Sequence, residues 1–192
     1  MRRILAIVLA LLLCGAAMAE GTGFAFRNGI TWGMTEDEVL AAEGGVEYQR
    51  NEMEPGLSLI VIEDDMTTGA KGDVNYVFMN GALVMDGYYY HTGDISADEL
   101  SAALSEKYGE PAPADIPRFL AVMTALYGET PPDLPEGALF WNWTVEDGTY
   151  IVLTTSWDTD MDELSLGYID EAAILAGQSV SEPAPAMNPD GM

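Results

Sequence analysis

The sequence predicts an α+β fold: an antiparallel sheet of several hairpin-connected strands packed against two or three short helices. Three observations carry this reading. Asn80-Gly81 and Glu146-Asp147-Gly148 each separate two runs rich in β-branched and aromatic residues, as tight hairpins with positive φ at the turn require. Thr35-x-x-Glu38 and Ser96-x-x-Glu99 are capping boxes, each followed by apolar residues at helical spacing. The resulting order is helix, four strands, two helices, three strands, which lacks the strand–helix alternation of a parallel sheet.

Residues 1–19 read as a secretory signal. Arg2-Arg3 precedes an apolar run from Ile4 to Leu13, and Ala17-Met18-Ala19 supplies an A-x-A cleavage site. The run is too short for a membrane span with these flanks. Cys14 raises a lipoprotein alternative, but such signals place Gly, Ala or Ser before the lipidated cysteine, and Leu13 stands there. Cleavage before Glu20 removes the chain's one cysteine, and with it disulfides, thiol catalysis and cysteine metal sites. The expected location is outside the cytoplasmic membrane, secreted or in the periplasm or cell surface, with no transmembrane segment in the mature chain.

Residues 20–176 are expected to form one domain, with a two-lobed alternative divided near 110–135, and residues 177–192, rich in Pro, Ser and Ala, a flexible tail. Trp32-Gly33-Met34 reads as a strand-to-helix corner. Gly33 allows the turn, Trp32 closes the core, and Met34 staples onto Val39 or Leu40 of a helix that Gly44-Gly45 ends. Strands are predicted at VEYQRN, LSLIVIE, DVNYVFM and ALVMDGYYYH. In DVNYVFM, Val74, Tyr76 and Phe78 share one face and Asn75, Val77 and Met79 the other, so cover is expected on both. The Ser96 helix carries Leu100, Ala103, Leu104 and Tyr108 and stops at Gly109 and Pro111. A further helix spans Asp115 to Tyr127, with Pro117 in its first turn and Gly128 after it. Beyond the proline-rich TPPDLPEG come ALFWNWTV, TYIVLTTSW and LSLGYID, three more strands.

After the signal the chain keeps 5 basic side chains against 32 acidic ones, a net charge of −27. Such a polyanion repels phosphate, which excludes a nucleic-acid or anionic-lipid partner and suits a basic protein partner or divalent cations. With 48% hydrophobic residues and nine tyrosines the chain can build a folded body.

The candidate binding residues are Tyr88, Tyr90, Trp141 and Trp143, since Trp141 and Trp143 alternate onto one side of a strand and exposed aromatics there would make a partner surface. The candidate metal ligands are Asp158, Asp160 and Asp162 in DTDMDE, hard oxygen donors at alternate positions. Glu163 and Ile169 stand where an EF-hand loop needs Gly and Glu, so the stretch is not one. His91, the single histidine, sits at a strand end, and the sequence holds no G-x-S-x-G elbow, H-E-x-x-H pair or glycine-rich phosphate loop. No catalytic residue and no cofactor are assigned. Asn142-Trp143-Thr144 matches a glycosylation sequon.

In FRNGITWGMTEDEV together with LSEKYGEP, the chain resembles exported proteins of Gram-positive bacteria that carry an F-R-x-x-x-W-G segment leading into an acidic helix and a later helix ending in Y-G-x-P. GMTEDEV is also similar to the G-M-T-x-x-x-V helix start of the small outer-membrane assembly lipoproteins of the SmpA/OmlA class and, more loosely, to the β-lactamase-inhibitor-protein fold. These resemblances imply helices on antiparallel sheet and protein binding without catalysis. The expectation is an exported, non-enzymatic protein-binding or scaffold module. The alternatives are a secreted hydrolase using carboxylate or His91 chemistry, and a weak divalent-cation-binding protein.

Overall fold

A computed structural model of the chain describes residues 25–65, 70–91, 93, 95–145, 147–155 and 163–181. One seven-stranded sheet runs through them in the order β1-β2-β3-β4-β7-β6-β5, every neighbouring pair antiparallel. β1 (Gln49–Glu54), β2 (Leu57–Asp65), β3 (Gly72–Met79) and β4 (Ala82–His91) form a meander, and β5 (Phe140–Thr144) and β6 (Tyr150–Thr155) a hairpin. β7 (Glu163–Ile169) lies between β4 and β6 and joins the two groups. The sheet thus includes strands from both sides of residues 110–135. The helices are α1 (Glu36–Ala42), α2 (Ala97–Tyr108), α3 (Ile116–Tyr127) and α4 (Glu171–Ser181).

The turn and cap chemistry is realised as the residues require. Asn80 and Gly81 have φ of 53° and 81°, the left-handed pair of a type I′ turn, and Met79 pairs with Ala82 across it. Thr35 Oγ1 accepts from the Glu38 amide at 3.3 Å while Glu38 Oε2 accepts from the Thr35 amide at 2.8 Å, and Ser96 and Glu99 repeat the arrangement. Both boxes satisfy helix amides that would otherwise lack partners. The Asp115 carboxylate caps α3 by accepting from the Arg118 amide at 3.1 Å, and Gly128 ends the helix in the left-handed region.

The corner at Trp32 is structural. Its ring meets Phe26 edge-on at 4.5 Å, its Nε1 donates to Thr149 Oγ1 at 2.9 Å, and Gly33 and Met34 exchange backbone hydrogen bonds with Leu83 of β4. The first helix is thereby pinned to the middle of the sheet.

Alternation along β3 sorts the side chains into two cores. Val74, Tyr76 and Phe78 join Val39 of α1 and Leu100, Ala103 and Leu104 of α2 on one face. Val77 joins Phe119, Val122, Met123 and Leu126 of α3 and Ile174 of α4 on the other. Both faces are covered, as the apolar residues on both sides of that strand predict.

α4 was absent from the expected order and corrects it: the helix runs to Ser181, into the stretch assigned to a flexible tail from 177. The Asp170 carboxylate caps it by accepting from the Ala173 amide at 3.0 Å. Ile174 anchors it, wholly buried, a burial that contributes roughly 1.5–3 kcal/mol. Glu171, its first residue, is gripped by Arg118 of α3, whose guanidinium also lies 4.1 Å from the centroid of the Tyr150 ring. Residues 182–192 lie outside the described residues.

Candidate binding site

The structure places the four sequence-predicted aromatics together, but inside the protein. Tyr88, Tyr90 and Trp143 are buried, with 5%, 2% and 2% of their surfaces exposed, and Trp141 is half-buried against the same core. All four point to the α1/α2 face. Trp143 pairs across the sheet with Ile151, and Trp141 with Leu153. The Trp143 Nε1 donates to the Gly109 carbonyl at 2.9 Å, fastening β5 to the end of α2. These residues form no partner surface, because the helix pair covers the face that alternation gathers them on. Asn142, buried on the opposite face, accepts from the Asp115 amide through its side chain at 3.1 Å, which removes it as a glycan acceptor. Asp158, Asp160 and Asp162 lie outside the described residues, as do Trp157 and the side chain of His91. Among the described residues no three His, Cys, Asp or Glu side chains converge as a cation would need, and no helix is long and apolar enough to cross a membrane.

What the structure offers in place of an aromatic surface is a cavity of about 330 Å³ on the α3 face of the sheet. It is produced by a gap in the side-chain layer. β4 and β7 pair in a register that sets Gly87 directly opposite Gly167. Neither contributes a side chain to the row between Met85–Ile169 and Tyr89–Ser165, and the Met85 methyl and the Tyr89 ring lean over it only in part. Val152 of β6 continues that row beside Gly167. Phe119, Met123 and Tyr127 of α3 roof the cavity, and Pro131, Pro132 and Glu129 stand on its rim.

The floor is therefore Gly167 flanked by Met85, Val152 and Ile169, and the walls are mainly apolar. The polar groups are hydroxyls at one end. Tyr89 pairs across the ladder with Ser165, and burial holds the Tyr89 phenol above its ordinary range against the opposing pull of the Ser165 hydroxyl. Tyr127 is likewise shifted up, by burial and by the neighbouring Tyr89, so both phenols remain neutral. Tyr127 and Glu129 also border a second, more open cleft of about 570 Å³, lined by Pro55, Gly56, Met79 and Asn80 from the sheet's turns. The last turn of α3 thus stands between an open cleft and the apolar cavity.

A separate polar cluster is buried in the α1/α2 core. Arg27 Nε and Nη2 donate to the two oxygens of Glu43 at 2.8 and 2.6 Å, and Nη1 lies 2.9 Å from Asp65. The Tyr76 hydroxyl donates a short hydrogen bond to Glu43. Burial opposes the Arg27 charge, but the Glu43 hydrogen bond and the negative groups around it leave its pKa raised. Asp86, between Tyr76 and Tyr168 in the cross-strand row, is fully buried, and neither of its oxygens has a hydrogen bond of good geometry. Burial pushes its pKa up to about 8, against the pull of Arg27 and the Tyr88 hydroxyl and with the push of Glu43. The cluster has no opening to solvent among the cavities above, and its contacts tie the segment before α1 to the sheet.

Gly87 and Gly167 escaped the sequence reading. An isolated glycine inside a strand marks close approach or a gap, and both glycines interrupt predicted strands. Their meaning depends on β4 pairing with β7, which the spacing of residues does not reveal. No family model, no curated protein and no solved structure matches this chain.

Proposed function

We propose that the chain is an exported, non-catalytic binding module, secreted or retained at the periplasm or cell surface, whose binding element is the cavity between the sheet and α3. The observation that carries this is the gap opposite α3. A well-packed interior leaves few voids larger than a water molecule, whereas here about 330 Å³ stands open over Gly167, lined by adaptable methionine and aromatic side chains with hydroxyls at one end. Concave, mostly apolar, with a few convergent polar groups, this is the form of a small-molecule site. Its hydroxyls can hold and orient a ligand.

The test is titration of residues 20–192 with the neutral, environment-sensitive two-ring dye prodan, a naphthalene ketone, against the Gly167→Val variant. A Cβ at Gly167 meets the flexible end of Met85 at 3.3 Å and the Ile169 side chain at 3.9 Å, so the substitution fills the gap against side chains and not backbone. Saturable fluorescence gain that Gly167→Val abolishes supports the reading. Equal dye binding by both proteins removes the cavity from consideration.

A second reading, a basic protein segment docking along the free edge of β1, is favoured by another observation. That strand is exposed at every position, and Val46, Tyr48 and Met53 are exposed apolar residues in or beside it. Capture from an envelope extract with stepped salt separates the two. A partner released at modest salt is held by charge alone, and one surviving high salt engages the apolar residues.

A further inference from the structure

We propose that the ligand of the cavity is an uncharged, planar aromatic molecule of one or two rings bearing a single hydroxyl or carbonyl group. This rests on the binding reading above and follows from four properties of the lining.

Charge comes first. Among the described residues that line the cavity there is no Lys, Arg or His, and the one ionisable group of low ordinary pKa is Glu129, exposed on the rim. The arginine on the same side of the sheet, Arg118, is held by Glu171 and Thr144 at the far end of α3. A carboxylate or phosphate in this apolar space would lose its hydration with no counter-charge and would face Glu129 on entry. A cation would be stripped of water just as fully, since its only partner stays in solvent at the rim.

Shape follows from the floor. At Gly167 the floor carries no side chain of its own, and the Tyr89 ring and the Met85 methyl lie beside it over Gly87, so a flat ring can lie against this surface where a branched molecule would find only a shallow contact. The walls add Met85, Met123 and the Phe119 ring, and thioether sulfurs make favourable contacts with aromatic rings.

Size sets the ring count. A cavity of about 150 Å³ accommodates benzene, so 330 Å³ holds about two such rings.

The polar end requires one group. Tyr89 and Ser165 are cross-strand partners that put two hydroxyls at that end, each able to donate and to accept. A ligand hydroxyl or carbonyl there gains a partner. A purely apolar ring leaves that end of the cavity unmatched.

Isothermal titration of residues 20–192 with 2-naphthol, 2-naphthoate, 2-naphthylmethylamine and 1-decanol at pH 7 tests this. The expected result is 2-naphthol binding at least tenfold tighter than each of the other three. Gly167→Val should abolish that binding, and Ser165→Ala should weaken 2-naphthol roughly fivefold, as the loss of one neutral hydrogen bond does, while leaving naphthalene unchanged. If Gly167→Val lowers the melting temperature, Met123→Phe fills the same space from the helix. Equal or tighter binding of the anion, the amine or the decanol, still abolished by the filled variants, overturns the ligand class while the cavity stands. Absence of binding by all four compounds and by the neutral dye overturns the cavity reading itself.

Discussion

Arg27 meets Glu43 through two nitrogen–oxygen contacts, of 2.8 and 2.6 Å, and both residues are buried. The pair closes the turn before α1 onto the residue after it, and Tyr76 and Asp65 complete the shell. Removing one partner leaves the other charge buried and unpaired, a loss of about 3–5 kcal/mol in comparable pairs. Arg27→Ala is therefore expected to lower the stability of residues 20–192 by that order in urea denaturation. The double variant Arg27→Met/Glu43→Leu should recover a large part of it. A single variant as stable as the parent would show the pair to be solvated.

Asp86 makes stability depend on pH. Its folded pKa is raised from 3.8 to about 8, so between those values the folded protein keeps a proton that the unfolded chain releases. The contribution is fully present below about pH 4, declines as pH rises and is lost by about pH 8, with a slope of at most about 1.4 kcal/mol per pH unit. Asp86→Asn stays neutral throughout. The stability of Asp86→Asn relative to the parent should rise steadily from pH 4 to pH 8 and level off above, read by denaturant melts across that range. A difference independent of pH would mean that Asp86 ionises normally in the fold.

Two glycines of neighbouring strands should respond oppositely to alanine. At Gly72 a Cβ would lie 2.6 Å from the Tyr89 carbonyl oxygen, a backbone atom that cannot yield without distorting the β3–β4 ladder. At Gly87 the nearest atoms are 3.7 and 3.8 Å away, ordinary contact. Gly72→Ala should cost about 1–3 kcal/mol, the scale of overpacking, and Gly87→Ala should be neutral or slightly stabilising because the flexible glycine is replaced. Thermal melts of the two variants side by side provide the comparison.

Ser96 accepts from the Glu99 amide at 3.3 Å, and Glu99 returns a hydrogen bond to the Ser96 amide. Ser96→Ala should destabilise the protein by about 1 kcal/mol, and Ser96→Asp, which retains a capping oxygen, should cost much less. Urea midpoints measure both. Equal losses would indicate that α2 is held by packing alone.

The sequence made local chemistry legible and left distant pairing hidden. The Asn80-Gly81 turn, both capping boxes and the Gly33 corner each depend on residues a few positions apart, and each is found where the residues call for it. α4 was readable in part: Asp170 supplies a cap and Ile174 an anchor, but without Glu or Gln at the third helical position the box pattern is missing, and the proline-rich residues beyond it drew the reading toward a tail. Alternation places Trp141 and Trp143 on one side of their strand, as found, yet it cannot say whether a face meets water or a helix. Trp143 is buried because α2 ends beside it. The cavity was invisible for a related reason, since Gly87 and Gly167 become neighbours only through the β4–β7 ladder.

That ladder also governs when the fold can close. β7 occupies the middle of the sheet yet comes last in the chain among the described strands, and without residues 163–169 the β1–β4 meander and the β5–β6 hairpin share no edge. Sheets that depend on pairings so distant in the chain form slowly. Until that strand is in place each half keeps an unpaired edge, β4 in one and β6 in the other, so a single segment decides whether two separate sheet fragments become one sheet.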